Sequence, residues 1–413
     1  MTKIIERIVR GFRDVKLWGR NTKIFVATEI LYGIPMQWVW FYQGIFMVHL
    51  GMDVVLLGFI AMLSLIFQIF MPIIGGYLAD KFGRKPILIA FDTFAGIGST
   101  FVWLMATEPW QAVLGAVLQA FSATVLPVRE ALQIEDTESA YRVSVYSFLT
   151  SIYPLGGIMT PIAGFLISIY GVLQGCRYVF LITMVSLMIM LITRQTYLKQ
   201  SKISDLHSSH NDEGILRSEG YIETSKILTK HTKLLTLFIL IIIGNMLFSL
   251  VNTFRPLYLI DAKALALNES IASIVPMASS VPSLIVLSFL IPRLKHEHMR
   301  KALIFSYVCS FFGLVALILA PKGSLILAVL SAVLDSARYI SFYSILRLFF
   351  VNKIYEINSL LIVKIMSLTT TFSAIASCPV PLVGGYLYVA SPTLPFIVCA
   401  GFLAMSIGLM MKT

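Results

Sequence analysis

Several ionisable side chains lie inside long apolar stretches of this sequence, among them Glu29, Asp92, Arg255, Asp335, Arg338 and Lys364. On membrane-insertion scales a charge in such a place is unfavourable by about 2.5 to 3.5 kcal/mol, so each one needs a partner or water. Buried carboxyl groups are the usual carriers of protons in this setting, and buried cations pair with carboxylates or with charged solutes. We therefore expect these side chains to face one another or a water-filled cavity.

Glu29 is the best candidate for proton coupling among these groups. It lies about two helical turns inside the first apolar stretch, away from either end. The other interpretation is that Glu29 pairs with Arg129 or Lys364 and only closes the structure, and the sequence leaves both open. Asp92 lies closer to the edge of its stretch, and we assign it no role.

Polar side chains recur at helical spacing along several of the apolar stretches, which predicts one polar face on each helix. Glu29 begins such a face in the first stretch, and Tyr32 and Gln43 continue it. The candidates for lining a solute cavity are Tyr32, Gln43, Gln119, Arg129, Tyr153, Asn245, Asn252, Arg255, Asp335, Arg338 and Lys364.

Asp335 and Arg338 are three residues apart on one predicted helix, so an ion pair between them and a role in solute binding are both compatible with their spacing. The cations Arg255, Arg338 and Lys364 outnumber the acids Glu29 and Asp335 by one. This excess indicates an anionic or zwitterionic solute.

The elements that must position these side chains are membrane-spanning helices. Of the 413 residues, 58% are hydrophobic and only 13% are charged, and the mean hydropathy is +0.85. Apolar runs of about 20 residues can cross a bilayer only if the backbone satisfies its own hydrogen bonds, as a helix does. The sequence predicts an all-α membrane protein with twelve spans, at residues 23–49, 54–79, 86–106, 109–134, 143–171, 175–194, 233–260, 269–292, 302–320, 324–350, 357–388 and 393–411.

The spans divide into two groups of six around one polar stretch. Residues 1–22 form a basic amphipathic segment on the cytoplasmic side, and residues 23–194 form an N-terminal six-helix bundle. Residues 195–232 are a cytoplasmic linker, because they mix both charge signs with too few apolar residues for a core. Residues 233–413 form a C-terminal six-helix bundle.

The distribution of basic residues predicts the orientation. With the N-terminus in the cytoplasm, only three of the 32 Lys and Arg residues fall in outer loops: Arg177, Lys263 and Lys322. Such asymmetry follows the positive-inside rule, and an even number of spans returns the C-terminus to the same side. We expect a multi-pass protein of the plasma membrane with both termini in the cytoplasm.

One short loop carries a motif that resembles a known family. The segment from Gly76 to Lys85, GYLADKFGRK, fits the pattern G-x-x-x-D-(R/K)-x-G-(R/K)-(R/K) and lies between spans two and three. Its pattern and place resemble the major facilitator superfamily. Gly76 would allow close helix approach, and Gly83 would permit a tight turn. The motif residues are Gly76, Asp80, Lys81, Gly83, Arg84 and Lys85.

The resemblance implies two pseudo-symmetric six-helix bundles around a central cavity, alternating access, and an inner gate that Asp80 helps to latch. The second half departs from the motif, with His296 and Met299 at the positions of Asp80 and Gly83. In span five, Thr160 precedes Pro161 where the antiporter signature of the superfamily favours glycine. Drug and proton antiport is therefore only partly supported.

The leading hypothesis is gradient-driven secondary active transport of a small solute, coupled to protons. The alternatives are multidrug efflux by proton antiport and, from another class, a membrane sensor or scaffold that transports nothing. No phosphate-binding loop, metal-ligand spacing or catalytic motif is found, so we expect no enzyme, cofactor or metal. The net charge of +11 lies in short gaps between apolar runs, which argues against nucleic-acid binding. The expected partners are a solute, protons and the bilayer, and we expect a monomer.

Overall fold

The computed structural model describes residues 15–199, 228, 230–294, 298–357 and 362–412. Most of the predicted basic N-terminal segment, most of the predicted linker and His296 lie outside these residues. Within them, twelve helices are long and apolar enough to cross a membrane. They are α1 Arg20–His49, α2 Val54–Phe82, α3 Arg84–Met105, α4 Pro109–Ile134, α5 Ser144–Tyr170, α6 Val172–Tyr197, α7 Thr232–Ile260, α8 Glu269–Leu290, α9 Met299–Ile318, α10 Leu325–Ile357, α11 Lys364–Ala390 and α12 Leu394–Met411.

The predicted all-α membrane fold with twelve spans is thereby confirmed. Helices α1 to α6 form the first half of the molecule, and α7 to α12 form the second half. Because each half has an even number of spans, α1 begins and α12 ends on the same side of the membrane, which we call the terminus side. The opposite side is called the far side.

Asp136, in the connection between α4 and α5, caps the first helix. Its carboxylate accepts hydrogen bonds from the backbone N–H groups of Asn21 and Thr22, at 2.6 and 3.1 Å. These N–H groups lie in the first turn of α1, where they have no partner within the helix and where a negative charge is favourable. The hydroxyl of Thr22 also donates to Asp136 at 2.6 Å. This cap fixes the start of α1 against the rest of the first half.

A similar contact in both halves supports an internal duplication. The ammonium group of Lys85, at the start of α3, donates to the carbonyls of Gln195 and Leu198 at the end of α6, at 2.6 and 2.7 Å. The guanidinium of Arg300, at the start of α9, donates to the carbonyls of Met410 and Met411 at the end of α12, at 3.1 and 2.8 Å. In each half, a cation on the third helix thus satisfies carbonyls that end the sixth.

The two halves meet closely through small residues. A methyl group at Gly58 of α2 would collide with the carbonyl of Pro381 in α11, and one at Gly157 of α5 would collide with the hydroxyl of Ser280 in α8. Glycine is required at these positions because no side chain fits between the helices. Gly58 lies near the far-side end of α2, so this contact brings the halves together on that side.

Polar contacts on the far side also join the halves. The imidazole Nε2 of His49, at the end of α1, lies 3.5 Å from the carboxylate of Glu269, at the start of α8. The hydroxyl of Tyr42 donates to the backbone carbonyl of Glu269 at 3.0 Å. The molecule is therefore closed between the halves on the far side.

Candidate solute cavity and buried charge clusters

A cavity of about 490 Å³ lies between the two halves. Helices α1, α2 and α4 of the first half contribute to its wall, and so do α7, α10 and α11 of the second. Amides and hydroxyls alternate there with aromatic and aliphatic side chains. Its polar and aromatic lining residues include Trp40, Phe41, Gln43, Ser64, Gln68, Gln119, Asn245, Phe248, Ser249, Asn252, Thr253, Thr369, Thr370, Ser373 and Ser377.

Four of the predicted cavity residues lie in this wall: Gln43, Gln119, Asn245 and Asn252. They come from α1, α4 and α7, and their role in binding a solute stays a prediction. Arg347 of α10 also lines the cavity, and among the described lining residues it is the one charged side chain. The sequence analysis did not select Arg347, because it lies near the end of a long apolar run rather than in its middle.

Four buried charges in the first half form a group that we call the first cluster: Glu29, Asp92, Arg129 and Arg194. The guanidinium of Arg194 lies 2.7 Å from the carboxylate of Glu29 and 3.4 Å from that of Asp92. The guanidinium of Arg129 lies 2.7 Å from Asp92 and 3.8 Å from Glu29. With both acids ionised, two negative and two positive charges balance, and the cluster ties α1, α3, α4 and α6 together.

Aromatic and hydroxyl groups complete the surroundings of the first cluster. The guanidinium of Arg194 stacks 4.0 Å from the ring centroid of Phe25 and donates to the hydroxyl of Thr28 at 2.9 Å. The guanidinium of Arg129 lies 4.5 Å from the ring centroid of Tyr32, and the hydroxyl of Tyr153 donates to Glu29 at 3.4 Å. Arg129, predicted to line the cavity, is thus a member of this cluster, and Tyr32 and Tyr153, predicted to line it too, lie beside the cluster.

Two members of the first cluster were missed from sequence. Arg194 lies close to the end of α6, where an arginine is usually a topology signal, and Asp92 was assigned no role. Both are nearly inaccessible to solvent, and the Arg194 side chain is completely buried. A useful signal was available, because two acids inside the first half require more cations than Arg129 alone.

A second cluster lies in the other half and consists of Arg255, Asp335 and Arg338. The carboxylate of Asp335 accepts from Arg255 at 3.1 Å, and from Arg338 at 2.8 and 3.1 Å. Ser310 of α9 donates to the same carboxylate, and Ser331 accepts from Arg255 at 3.0 Å. One acid faces two cations, so this cluster carries one excess positive charge.

The predicted pairing of Asp335 with Arg338 is present in the structure, with Arg255 as a further partner. These three side chains, predicted to line the cavity, instead lie between α7, α9 and α10, beside the cavity wall. Arg255 is directly followed by Pro256, which does line the cavity, and its Nε is buried with no hydrogen-bond partner among the described residues. The second cluster is therefore adjacent to the cavity but not part of its described wall.

The position of the Lys364 side chain differs most from the prediction. The structure places it at the start of α11, where its side chain is exposed, and it is neither in the cavity wall nor paired with Glu29. The excess positive charge deduced from sequence included Lys364 and omitted Asp92, Arg129 and Arg194. In the structure the excess belongs to the second cluster instead.

The comparison with known families decides the identity of the fold. A family model described as Major Facilitator Superfamily matches residues 27–377. The chain belongs to the Major Facilitator Superfamily. The resemblance inferred from the loop motif is thereby confirmed, and it extends through both halves.

Curated relatives match this chain over part of their length. The multidrug resistance protein MdtH of Photorhabdus laumondii is 32% identical over 120 residues, which is 29% of this chain and 30% of that protein. A Na⁺, Li⁺, K⁺/H⁺ antiporter of Planococcus maritimus is 23% identical over 157 residues, 36% of each chain. The matched region thus spans about a third of these relatives.

Solved structures of superfamily proteins share the fold over nearly the whole chain. The nucleoside transporter NupG superposes with a TM-score of 0.73 at 15% identity, covering 95% of this chain and 98% of that one. A D-xylose–proton symporter superposes with a TM-score of 0.69 at 15% identity, covering 95% and 96%. At these identities the similarity establishes the fold alone.

The structure of the superfamily motif between α2 and α3 differs from one expectation, that Gly76 allows close helix approach. A methyl group at Gly76 would meet open space, whereas one at Gly75 would collide with the backbone carbonyl of Thr124 in α4. Gly75, and not Gly76, therefore allows the close helix approach. Gly83 has a backbone φ of +89° at the end of α2, a conformation that glycine adopts without strain.

Two basic residues of the motif contact other helices of the first half. The guanidinium of Arg84 lies 2.8 Å from the carboxylate of Glu135 at the end of α4, and Lys85 caps α6 as described above. Lys81 and Asp80 are exposed, and no described residue forms an ion pair with Asp80. The motif loop is therefore fixed to its own half, while its predicted latch to the other half is not formed by the described residues.

Proposed function

We propose that this chain is a secondary transporter that moves a small solute by alternating access. The observation that carries the proposal is the cavity between the halves, whose wall comes from three helices of each half. A movement of one half against the other would expose such a cavity to one side of the membrane at a time. Because the far side is closed by the contacts of Gly58, Tyr42 and His49, this conformation gives access from the terminus side.

The terminus side is the cytoplasmic side in our proposal. The support is the scarcity of basic residues in the loops of the far side. Both termini would lie in the cytoplasm of a cell whose plasma membrane holds the protein. The two halves of one chain together supply the described cavity wall, which supports a functional monomer.

The cavity chemistry fits a small polar solute with an apolar face. A volume of about 490 Å³ falls in the range of sites for small molecules, and the amides of Gln43, Gln119, Asn245 and Asn252 can both donate and accept hydrogen bonds. The nucleoside and sugar transporters named above share the fold with this chain.

Multidrug efflux by proton antiport is the second candidate. The specific observation that favours it is the apolar part of the cavity wall, with Trp40, Phe41, Phe248 and Met366, since such surfaces adapt to varied hydrophobic compounds. The partial match to MdtH, named a multidrug resistance protein, points the same way. The two candidates differ in the solutes that would stabilise the purified protein.

Proton coupling through Glu29 stays a prediction. Arg194 and Arg129 now hold Glu29 as part of a balanced group, so a proton on Glu29 would require this carboxyl to lose its contact with Arg194 during the cycle. Replacing Glu29 by Gln should abolish uphill accumulation and retain exchange. Normal uphill transport by the folded variant would reject the role.

The direct test is transport by purified protein in liposomes. Sugars, nucleosides, organic acids and cationic drugs are screened for counterflow at two pH values, and a thermal-shift screen of the same compounds reports binding. Counterflow of a polar solute supports the first candidate, and counterflow of hydrophobic drugs alone supports efflux. Absence of flux for every binding compound would favour the sensor or scaffold alternative.

A further inference from the structure

The far-side contact between His49 and Glu269 requires a particular state of the histidine ring. The Nδ1 atom of His49 lies 2.9 Å from the backbone carbonyl oxygen of Ile45. Because a carbonyl oxygen can only accept a hydrogen bond, Nδ1 must carry the hydrogen of this contact. In a neutral imidazole with its hydrogen on Nδ1, the other nitrogen, Nε2, has a lone pair and no hydrogen.

This Nε2 atom faces a carboxylate across the boundary between the halves. It lies 3.5 Å from Oε1 of Glu269. A lone pair and an ionised carboxylate repel each other at this distance, because both can only accept. One added proton makes the contact attractive, either as imidazolium with carboxylate or as imidazole with a protonated carboxyl. The pair therefore joins the halves only when it has bound this proton.

Neutral contacts hold the two residues in position. The hydroxyl of Tyr42 donates to the backbone carbonyl of Glu269 at 3.0 Å. A methyl group at Gly164 of α5 would collide with the carbonyl of Ser270 and the hydroxyl of Ser273, near the start of α8. The start of α8 is thus packed closely against α1 and α5 by groups other than the pair. The charge between His49 and Glu269 is what a proton changes.

The surroundings of the pair allow it to exchange a proton with water on the far side. The side chains of His49 and Glu269 are 33% and 30% exposed. Among the described residues, no second acid lies within 4 Å of a ring nitrogen of His49, and no Lys or Arg lies within 4 Å of the Glu269 carboxylate. Histidine is the side chain that typically changes its charge between about pH 5 and pH 8.

The other titratable groups near this end of α1 have different surroundings. Cys176, on the neighbouring helix α6, is buried. Arg177 donates to the carbonyl of Ala106 at 2.9 Å, and the carboxylate of Asp261 accepts from the hydroxyl of Tyr388 at 3.0 Å. The remaining charged side chains of the far-side connections form no ion pair with His49 or Glu269; they are Asp53, Glu108, Lys263 and Lys322.

We propose that His49 and Glu269 form a proton-binding site that is complete only while the far side is closed. Both halves contribute to the site, so the proton binds more tightly to the closed far side than to an open one. By linkage, low pH then favours closure of the far side and high pH favours its opening. This inference rests on the proposed function, in which the two halves move against each other.

This site is separate from the coupling candidate Glu29. The two positions lie on the same helix roughly 30 Å apart, and Glu29 lies nearer the terminus side. In our proposal the far side is the outside of the cell. A proton gradient directed into the cell would therefore favour the step that turns the cavity from the outside to the cytoplasm.

The first test measures the far side by double electron–electron resonance. Spin labels are attached at Thr107→Cys and Ala390→Cys, exposed far-side positions of the first and second halves, after Cys309 and Cys378 are replaced by Ser. A closed far side gives a short distance and an open one a longer distance. We expect the ratio of long to short distances to rise by about two- to fivefold between about pH 5.5 and pH 8.5, as for a partly exposed ion pair.

Three variants assign this pH response. His49→Gln and Glu269→Gln should each remove it, because an amide can donate and accept at either pH. His298→Gln, at an exposed histidine directly before α9 on the terminus side, is the matched control and should retain the response. A ratio that does not change with pH in the parent protein would overturn the inference. So would a response that either pair variant retains or that His298→Gln also loses.

A second test locates the hydrogen on the ring. In ¹⁵N NMR of protein labelled at histidine, the signals of His49 are those missing from His49→Gln. We expect the neutral ring to carry its hydrogen on Nδ1 at high pH, and the charged ring to carry hydrogens on both nitrogens at low pH. A neutral ring with its hydrogen on Nε2 would overturn the inference, because Nε2 could then donate to Glu269 without an added proton.

The distance measurement also separates the proton site from the proposed function. Short and long distances whose ratio does not depend on pH would overturn the proton site and leave alternating access intact. A single short distance at every pH, with and without a solute that binds, would contradict movement of the halves and therefore both proposals.

Discussion

The two buried charge clusters differ in balance, in position and in the helices that they join. The first cluster contains two acids and two arginines, lies toward the terminus side and joins α1, α3, α4 and α6. The second contains one acid and two arginines, lies toward the far side and joins α7, α9 and α10. Both clusters occupy the interior of their own half rather than the described cavity wall.

The first cluster is a closed structural group, by which we mean that its charges balance. The second cluster retains one net positive charge. In the first cluster, removal of any one member leaves three buried charges, one of which is not balanced by an opposite charge. In the second, removal of one arginine leaves a balanced pair. We infer that the first half is the more rigid frame, while the excess positive charge of the two clusters belongs to the second half.

Arg194→Gln should have the largest effect on stability. The substitution leaves Glu29 without its 2.7 Å partner and removes one of the two cations that hold Asp92. Loss of one partner from a buried ion pair decreases the free energy of unfolding by about 3 to 5 kcal/mol. Chemical or thermal unfolding of the purified protein measures it.

The double variant Arg194→Gln with Glu29→Gln controls for this mechanism. Because it removes one charge of each sign, it should be more stable than Arg194→Gln alone. If the free energy of unfolding of the single variant falls by less than about 1 kcal/mol, the cluster is not a closed structural group.

Arg255→Gln tests the imbalance of the second cluster. The substitution leaves Asp335 paired with Arg338. The free energy of unfolding should therefore fall by less than in Arg194→Gln, by about 1.5 to 3 kcal/mol, the contribution of hydrogen bonds to charged groups. Asp335→Asn is the matched comparison, because it leaves two cations without an acid and should cost more than Arg255→Gln. The reverse order, measured by the same unfolding assay, would contradict the charge assignment of this cluster.

Gly75→Ala and Gly76→Ala form a pair that tests the rigidity of the first half. The added methyl at Gly75 would collide with the backbone of α4, and overpacking of this kind costs about 1 to 3 kcal/mol. The methyl at Gly76 meets no atom, so that variant should stay within about 0.5 kcal/mol of the parent. Equal losses for both would show that α2 and α4 do not approach as described.

His49→Gln should have the smallest effect on stability. It weakens the contact between the halves and leaves both clusters unchanged. The partly exposed pair of His49 and Glu269 contributes about 0.2 to 1 kcal/mol. Thr370 lines the cavity and is exposed, so Thr370→Cys, made after Cys309 and Cys378 are replaced by Ser, gives a reporter thiol for labelling. Loss of the pair should increase labelling of Thr370→Cys from the far side by no more than about fivefold. A decrease in this labelling would contradict a closing role for the pair.

The fold was predictable from sequence because its signals are long and repeated. Apolar runs locate the helices, and the motif around Gly83 identifies the superfamily. The site was predictable only in part. The structure places Gln43 and Asn252, both selected by helical spacing, in the cavity wall, but helical spacing does not say which neighbouring helix a polar face meets. Arg338 and Arg129 therefore belong to clusters rather than to the wall.

The residues that were missed share a physical reason. Arg194 and Arg347 lie toward the ends of long helices, where the sequence alone indicates water or the membrane surface. Only the packing of α6 against α1 buries Arg194, and only the arrangement of the two halves turns Arg347 toward the cavity. Neither arrangement is encoded in the local pattern of one helix.

Sided labelling of Thr370→Cys in liposomes of known orientation tests the central claim, that one cavity opens to either side in turn. The far side is locked by cross-linking His49→Cys to Glu269→Cys with a short bifunctional thiol reagent before the reporter is exposed to impermeant label. The account predicts labelling from both sides without the lock, and from the terminus side alone with it. Labelling from the far side through the locked protein would contradict alternating access through this cavity.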